Sequence, residues 1–163
     1  MNYDRLAYGR RVLREELKKL RNTNYMMNKE FIQHGTTSVY QHCVSVAYRS
    51  VIIAARYNIN VDMRSLVRGA LLHDYFLYDW HGCSLKELHG FHHPRIAWEN
   101  ATRDFDLNPR EQDIIRKHMF PMTVIPPKYK ESWIICIADK LVSSQETLKM
   151  HPSHLQPRGK MYD

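Results

Sequence analysis

Apolar residues recur along this chain at intervals of three and four, the period of helices with one buried face, and the pattern contains no convincing strand. From about Tyr3 to Asn22, Leu6, Leu13, Leu17 and Leu20 form one stripe, flanked by Arg10, Arg11, Arg14, Lys18, Lys19 and Arg21. The stretch NYMMNKEFIQHG predicts a short helical piece ending at Gly35. In TTSVYQHCVSVAYRSVIIAARYN, Val39, Cys43, Val46, Ser50, Ile53, Ala54 and Tyr57 share a helix face, with His42 at its edge. Asp62 is placed to cap a third helix, MRSLVRGALLHD, on which Leu66, Ala70 and His73 lie on one face beside Val67, Leu71 and Asp74.

Proline and capping residues predict two further helix starts. In FHHPRIAWENATRDF, Pro94 suits the first helical position, which makes His93 the N-cap and Ala97, Ala101 and Phe105 an inward row. In LNPREQDIIRKHMFP, Asn108 caps, Pro109 opens the helix, Glu111 completes a capping box and Pro121 follows the end, while Ile114, Ile115 and His118 share a face. The last helix, YKESWIICIADKLVSSQETLKM, is most apolar from Trp133 to Val142, where Asp139 and Lys140 interrupt it. Its continuation, HPSHLQPRGKMYD, is polar with two prolines and reads as a loose tail. No repeat, low-complexity run or linker divides the 163 residues. The expectation is an all-α helical bundle with an N-terminal amphipathic helix, one domain over 1–150 and a flexible tail over 151–163.

Composition narrows the setting. Cys43, Cys83 and Cys136 are widely spaced and odd in number, which fits neither a disulfide framework nor a CxxC pair and suits a reducing cytoplasm. The first residues have no apolar signal core, and nothing approaches the roughly 18 consecutive apolar residues of a membrane span. A soluble cytoplasmic protein is expected. The net charge of +7 raises the question of nucleic acid, but much of the excess lies on the first helix, where a solvated amphipathic face explains it.

The chemistry lies where carboxylates meet apolar helices. An ionised carboxylate without a partner is so costly to bury that it takes up a proton or finds a counter-charge. Asp74, after the apolar GALL, and Asp139, within the last helix, both face that problem, and a metal ion solves it for both. His42, His73, Asp74, His93, His118 and Asp139 are the candidate ligands, each on or beside an inward face. Taken singly, each has an ordinary structural reading as a core histidine, a helix-ending Asp or an ion pair. Their joint order, a helical histidine, an HD doublet and a later carboxylate, points to the metal.

That order resembles the HD-domain metal-dependent phosphohydrolases, a family named for the doublet. The match runs from about His34 to Ser144, with HGTTSVYQHCVSVA supplying His42, GALLHDYFLYD supplying His73 and Asp74, and ICIADKLVSS supplying Asp139. FHHPRIAWENA and IIRKHMFP look like the extra histidine motifs of two-metal members, with His92 an alternative to His93. Gln41 and Cys43 stand where many relatives carry Glu and Ser, and Tyr75 and Phe76 follow the doublet in place of a small hydrophobic-glycine step.

The resemblance implies an HD-domain bundle holding one or two divalent ions, iron, manganese, zinc, nickel, cobalt or magnesium. His42, His73, Asp74 and Asp139 would hold the first ion; His93 and His118 would hold the second or, with one ion, donate hydrogen bonds to phosphate; Asp74 would bridge two ions or, with one, orient the water. Lys140 would reach the leaving group or a phosphate oxygen, His34 would bind substrate, and Asp79 would orient a ligand histidine. Tyr75, Tyr78 and Trp80 are stacking candidates for which packing is the plainer role; His81, His89, His151 and His154 receive none. The expected partner is a small phosphorylated molecule such as a nucleotide; neither nucleic acid nor membrane is expected, and a homo-oligomer is left open. The alternative is a non-catalytic HD module that binds a nucleotide or metal for signalling.

Overall fold

The computed structural model describes residues 1–79 and 89–149, with the side chains of 89–91 and of Lys149 left aside. Among the described residues six α-helices carry the fold: α1 (Tyr3–Leu20), α2 (Val39–Arg56), α3 (Met63–Leu72), α4 (His89–Asp104), α5 (Pro109–Lys117) and α6 (Lys130–Lys149). The expected loose tail over 151–163, Trp80 and its neighbour His81 lie outside the described residues.

The helix starts follow the predicted chemistry. The Asp62 side chain accepts from the Ser65 amide at 2.7 Å. Asn108 accepts from the Arg110 and Glu111 amides, and the Glu111 carboxylate returns a bond to the Asn108 amide. Ser38 and Gln41 form a second capping box at the start of α2, so Gln41 has a structural duty there. On α1, Leu6, Val12, Leu13 and Leu20 are buried while all six flanking cations are exposed, as an amphipathic surface helix requires.

Three expectations need correction. The stretch before Gly35 is not one helical piece: a 3-10 helix spans Asn24–Lys29, and a ribbon pairs β1 (Ile32–His34) with β2 (Thr37–Ser38) antiparallel. Gly35 turns the chain at φ 59°, and the Val39 amide bonds to the Phe31 carbonyl at 2.9 Å to close the base. A segment this short carries no periodicity that separates helix from strand. Second, α4 begins at His89, so Pro94 lies inside the helix and His93 is not its N-cap. One amide is missing from the helix there, a cost that tertiary packing of Ala97 and Ala101 outweighs. Third, Asp139 lies among buried Ile135, Ala138 and Val142, but Trp133, Ile137 and Leu141 project to solvent from the other face of α6.

The core forms where α2, α3 and α6 pack against one another, with α1 and α5 on its flanks and α4 beyond α5. The connection from α5 to α6 is pinned by Asp113. Its carboxylate accepts from the Lys128 amide at 2.9 Å and the Ser132 hydroxyl at 2.7 Å and pairs with Lys117 at 2.7 Å. Burial alone would raise this carboxyl, but the bonds from Lys117, Ser132 and Lys128 outweigh it and hold it below the ordinary range.

Gly69 sets the α3–α5 distance, since a Cβ there would overlap Ile114 Cδ1 and lie 3.1 Å from both its Cβ and Cγ2. Gly69→Ala gains about 1 kcal/mol in helix propensity and loses about 1–3 kcal/mol to overpacking. The expected net result is a lower urea midpoint than the parent. For Asp113→Asn the expected loss is about 1–3 kcal/mol near neutral pH. The Asp113 contribution is present above the unfolded carboxyl pKa and is lost as pH falls through the lower folded value, so the two unfolding curves converge in acid.

Candidate metal centre

His42 is buried on α2, one position from the apolar stripe. His73 is the C-cap of α3 and Asp74 follows it, both buried. His118 is the C-cap of α5. Asp139 projects inward from the middle of α6, and His93 from the second turn of α4. Five helices thus deliver the six predicted ligands to one place. His93 is 5% exposed whereas His92 is exposed, which decides between the two neighbours.

The ends of α3 and α5 orient their histidines by the same device. A helix leaves its last carbonyls without amide partners. The His73 Nδ1–H donates to the Ala70 carbonyl at 2.7 Å and the His118 Nδ1–H to the Ile115 carbonyl at 2.9 Å. Because a carbonyl only accepts, Nδ1 must carry the proton in each ring. In the neutral rings, Nε2 then offers a lone pair to the interior.

These lone pairs face other acceptors. His42 Nε2 lies 3.1 Å from Asp139 Oδ1 and 3.6 Å from Asp74 Oδ2. His73 Nε2 lies 3.4 Å from Asp74 Oδ2 and 3.8 Å from Asp139 Oδ1. On the other side, Asp74 Oδ1 is 3.2 Å from His93 Nε2 and 3.4 Å from His118 Nε2, and these two nitrogens are 2.8 Å apart. Neighbouring ligands about 2.1 Å from one ion stand roughly 3.0–3.4 Å apart, close to the observed spacings. Asp74 therefore turns one oxygen to each half of the cluster.

Buried polar atoms test whether a cation fits. Among the described residues, His73 Nε2 and Asp74 Oδ1 are buried with no hydrogen-bond partner. Ligand atoms of His42, His73 and Asp139 lie within 4.8 Å of one another, as do those of His73, Asp74 and His118. Imidazole nitrogens with carboxylate oxygens suit a first-row divalent ion, so the donors fit the group.

Titration follows the same logic. Burial alone would lower His42, but hydrogen bonds to Asp139 and Glu146 outweigh it and lift it to about 10. Burial opposes, and the Asp74 carboxylate outweighs that in raising, His73. Asp74 and Asp139 stay well below the carboxylate range because surrounding histidines overcome their burial. Burial pushes His118 down. The carboxylates thus demand positive charge, which either protons on the rings or a metal among neutral rings supplies.

Three supporting residues, Glu146, Gln33 and Ser143, escaped the sequence reading. Glu146 Oε2 accepts from His42 Nδ1–H at 2.9 Å, and Gln33 Nε2 donates to Asp74 Oδ2 at 2.7 Å. Glu146 was findable, because Asp139, Ser143 and Glu146 share a face of α6 at i, i+4 and i+7, and Ser143 also bonds Asp139 at 3.2 Å. Gln33 comes from the unforeseen ribbon and had no signal. Of the other predicted residues, His34 is half-buried with its ring 5.7 Å from that of His42, and burial lowers its pKa. Lys140 lies on the wall of the adjoining cavity, and Asp79 is exposed. Tyr75 is core, bonding Asp104 through its hydroxyl at 2.8 Å.

Adding manganese to chelator-treated protein in weak buffer should release protons, since the ion replaces those held by the histidines. Glu146→Gln should weaken manganese affinity by about 10–100-fold while the far-ultraviolet circular dichroism stays that of the parent. Titration calorimetry in two buffers of different ionisation enthalpy reads both quantities.

A family profile described as HD domain matches residues 39–143, more than half of the chain and the span that holds all six clustered residues. Comparison with curated proteins and with solved structures gives no match. On the strength of the profile, with the His/Asp cluster where the doublet predicts it, the chain belongs to the HD domain family.

Proposed function

We propose that the protein is a divalent-metal-dependent phosphohydrolase acting on a small phosphorylated compound such as a nucleotide. The observation that carries this reading is the shared position of Asp74, with Oδ2 toward His42 and His73 and Oδ1 toward His93 and His118. His42, His73, Asp74 and Asp139 would hold one ion, and His93 and His118 with Asp74 a second. When bound, such ions lower the pKa of water toward about 7 and draw charge from phosphoryl oxygens, the two requirements for phosphate hydrolysis at neutral pH.

The chain supplies the rest. Gln33 and Ser143 hold the two aspartates in place by hydrogen bonds, and Glu146 fixes the His42 ring. A cavity of about 600 Å³ opens against the cluster, lined by Asp74, His93, His118 and Asp139 together with His34 and Lys140. The Lys140 amine is steadied by the carbonyls of His118 at 3.4 Å and Cys136 at 3.3 Å. Among the described residues no carboxylate lies within ion-pair distance of it, so its charge is available to a phosphate oxygen or the departing oxygen. In the reaction, the water oxygen bonds to phosphorus, the ester or anhydride P–O bond breaks, and the water proton passes to the leaving oxygen.

Metal-loaded protein should release phosphate from members of a nucleotide and phosphomonoester panel, and Asp74→Ala should lose at least a thousandfold in rate. Lys140→Ala should lower kcat/KM by about 10–100-fold, the worth of one charge-assisted hydrogen bond. Ligand binding without turnover under every metal would favour the signalling module instead.

A further inference from the structure

We infer that the substrate is an organic phosphomonoester whose alcohol carries an apolar body seated on Met119, Pro121 and Met122, and not a polyphosphate. The inference rests on the phosphohydrolase reading and narrows it to a substrate class.

The cavity lining is of two unlike kinds, the His/Asp cluster and a pair of thioether side chains with a proline ring. Met122 is 48% exposed and Met119 half-buried, so this apolar surface is open to whatever enters. A cavity of about 600 Å³ is in the range that holds a drug-sized organic ligand, more than a phosphate or pyrophosphate fills. Methionine adapts its flexible, polarisable chain to varied apolar shapes and makes favourable contacts with aromatic rings.

Charge points the same way. Among the described lining residues, Lys140 is the one lysine or arginine. It suits a single phosphoryl group. Additional phosphates of a polyphosphate would extend toward the thioethers, where no described lysine or arginine of the lining supplies a counter-charge.

The apolar wall is also held in register with the cluster. Met119 directly follows His118, the Phe120 amide bonds to the Lys117 carbonyl at 3.0 Å, and the Met122 amide bonds to the Met119 carbonyl at 2.8 Å. The Phe120 ring packs edge-on against Trp133 with centroids 5.3 Å apart, which ties the segment to α6. A phosphoryl group at the cluster therefore leaves its organic part within reach of the methionines.

The test is calorimetric binding of methylphosphonate, phenylphosphonate and tripolyphosphate to the manganese-loaded full-length protein, the phosphonates standing in for monoesters without being hydrolysed. Phenylphosphonate should bind at least tenfold tighter than methylphosphonate and tighter than tripolyphosphate. The phenyl preference should fall below about threefold in Met119→Ser/Met122→Ser. Met122→Ser alone, at an exposed position, should reduce it partway and serves if the double variant fails to fold. Equal binding of the two phosphonates, tightest binding of tripolyphosphate, no phosphonate binding, or a preference unmoved in the Met122 variant would each overturn the inference. Hydrolysis of nucleoside triphosphates without a phenyl preference would leave the hydrolase reading standing and sink this one. The predicted preference with no phosphate release from any substrate would overturn the hydrolase reading, and the substrate assignment with it, while leaving the methionines as the seat of a bound organic phosphate.

Discussion

Three carboxylates, Asp74, Asp139 and Glu146, lie buried at the centre of the bundle, and among the described residues their ion-pair partners are all histidines. Removing ions from water costs several kcal/mol each, so no close-packed apolar core could hold this group without positive charge inside it. The helix termini are arranged around that need. Ending α3 at His73 and α5 at His118 places helix carbonyls where they fix each ring, and the same endings put the opposite nitrogen into the cluster. Local helix termination and site geometry are one event at these two residues.

The parts of the fold that were legible in sequence are those where periodicity or a cap states its own physics. The Asp62 and Asn108 starts, the amphipathic α1 and the inward positions of His42, His73, His118 and Asp139 all follow from spacing within a single helix. The ribbon over Ile32–Ser38 was illegible because a few residues on either side of Gly35 carry no period. Pro94 misled for a different reason: its preference for the first turn is a tendency, and here the helix extends five residues before it. His93 reaches the cluster all the same, so its candidacy rests on the motif and not on the predicted N-cap position.

The supporting residues divide in a similar way. Glu146 lies on the same helix face as Asp139, so a second pass along α6 for polar residues in phase with a buried aspartate would have found it. Gln33 meets Asp74 across 41 positions of sequence, a contact only the tertiary fold creates. The apolar residues of α6 show the complementary limit: Trp133, Ile137 and Leu141 have the composition of a core, yet the helix turns them outward because Ile134, Ile135 and Val142 already fill the inner face.

The division of the Asp74 carboxylate between two sets of nitrogens has a consequence for filling. Its two oxygens share one negative charge, so a cation polarising Oδ2 leaves less electron density at Oδ1. Under the two-ion reading proposed above, occupation of the His42 side would thereby weaken the attraction offered on the His93 side. Loading would be anticooperative, with a half-filled form spanning a range of metal concentrations before both halves saturate.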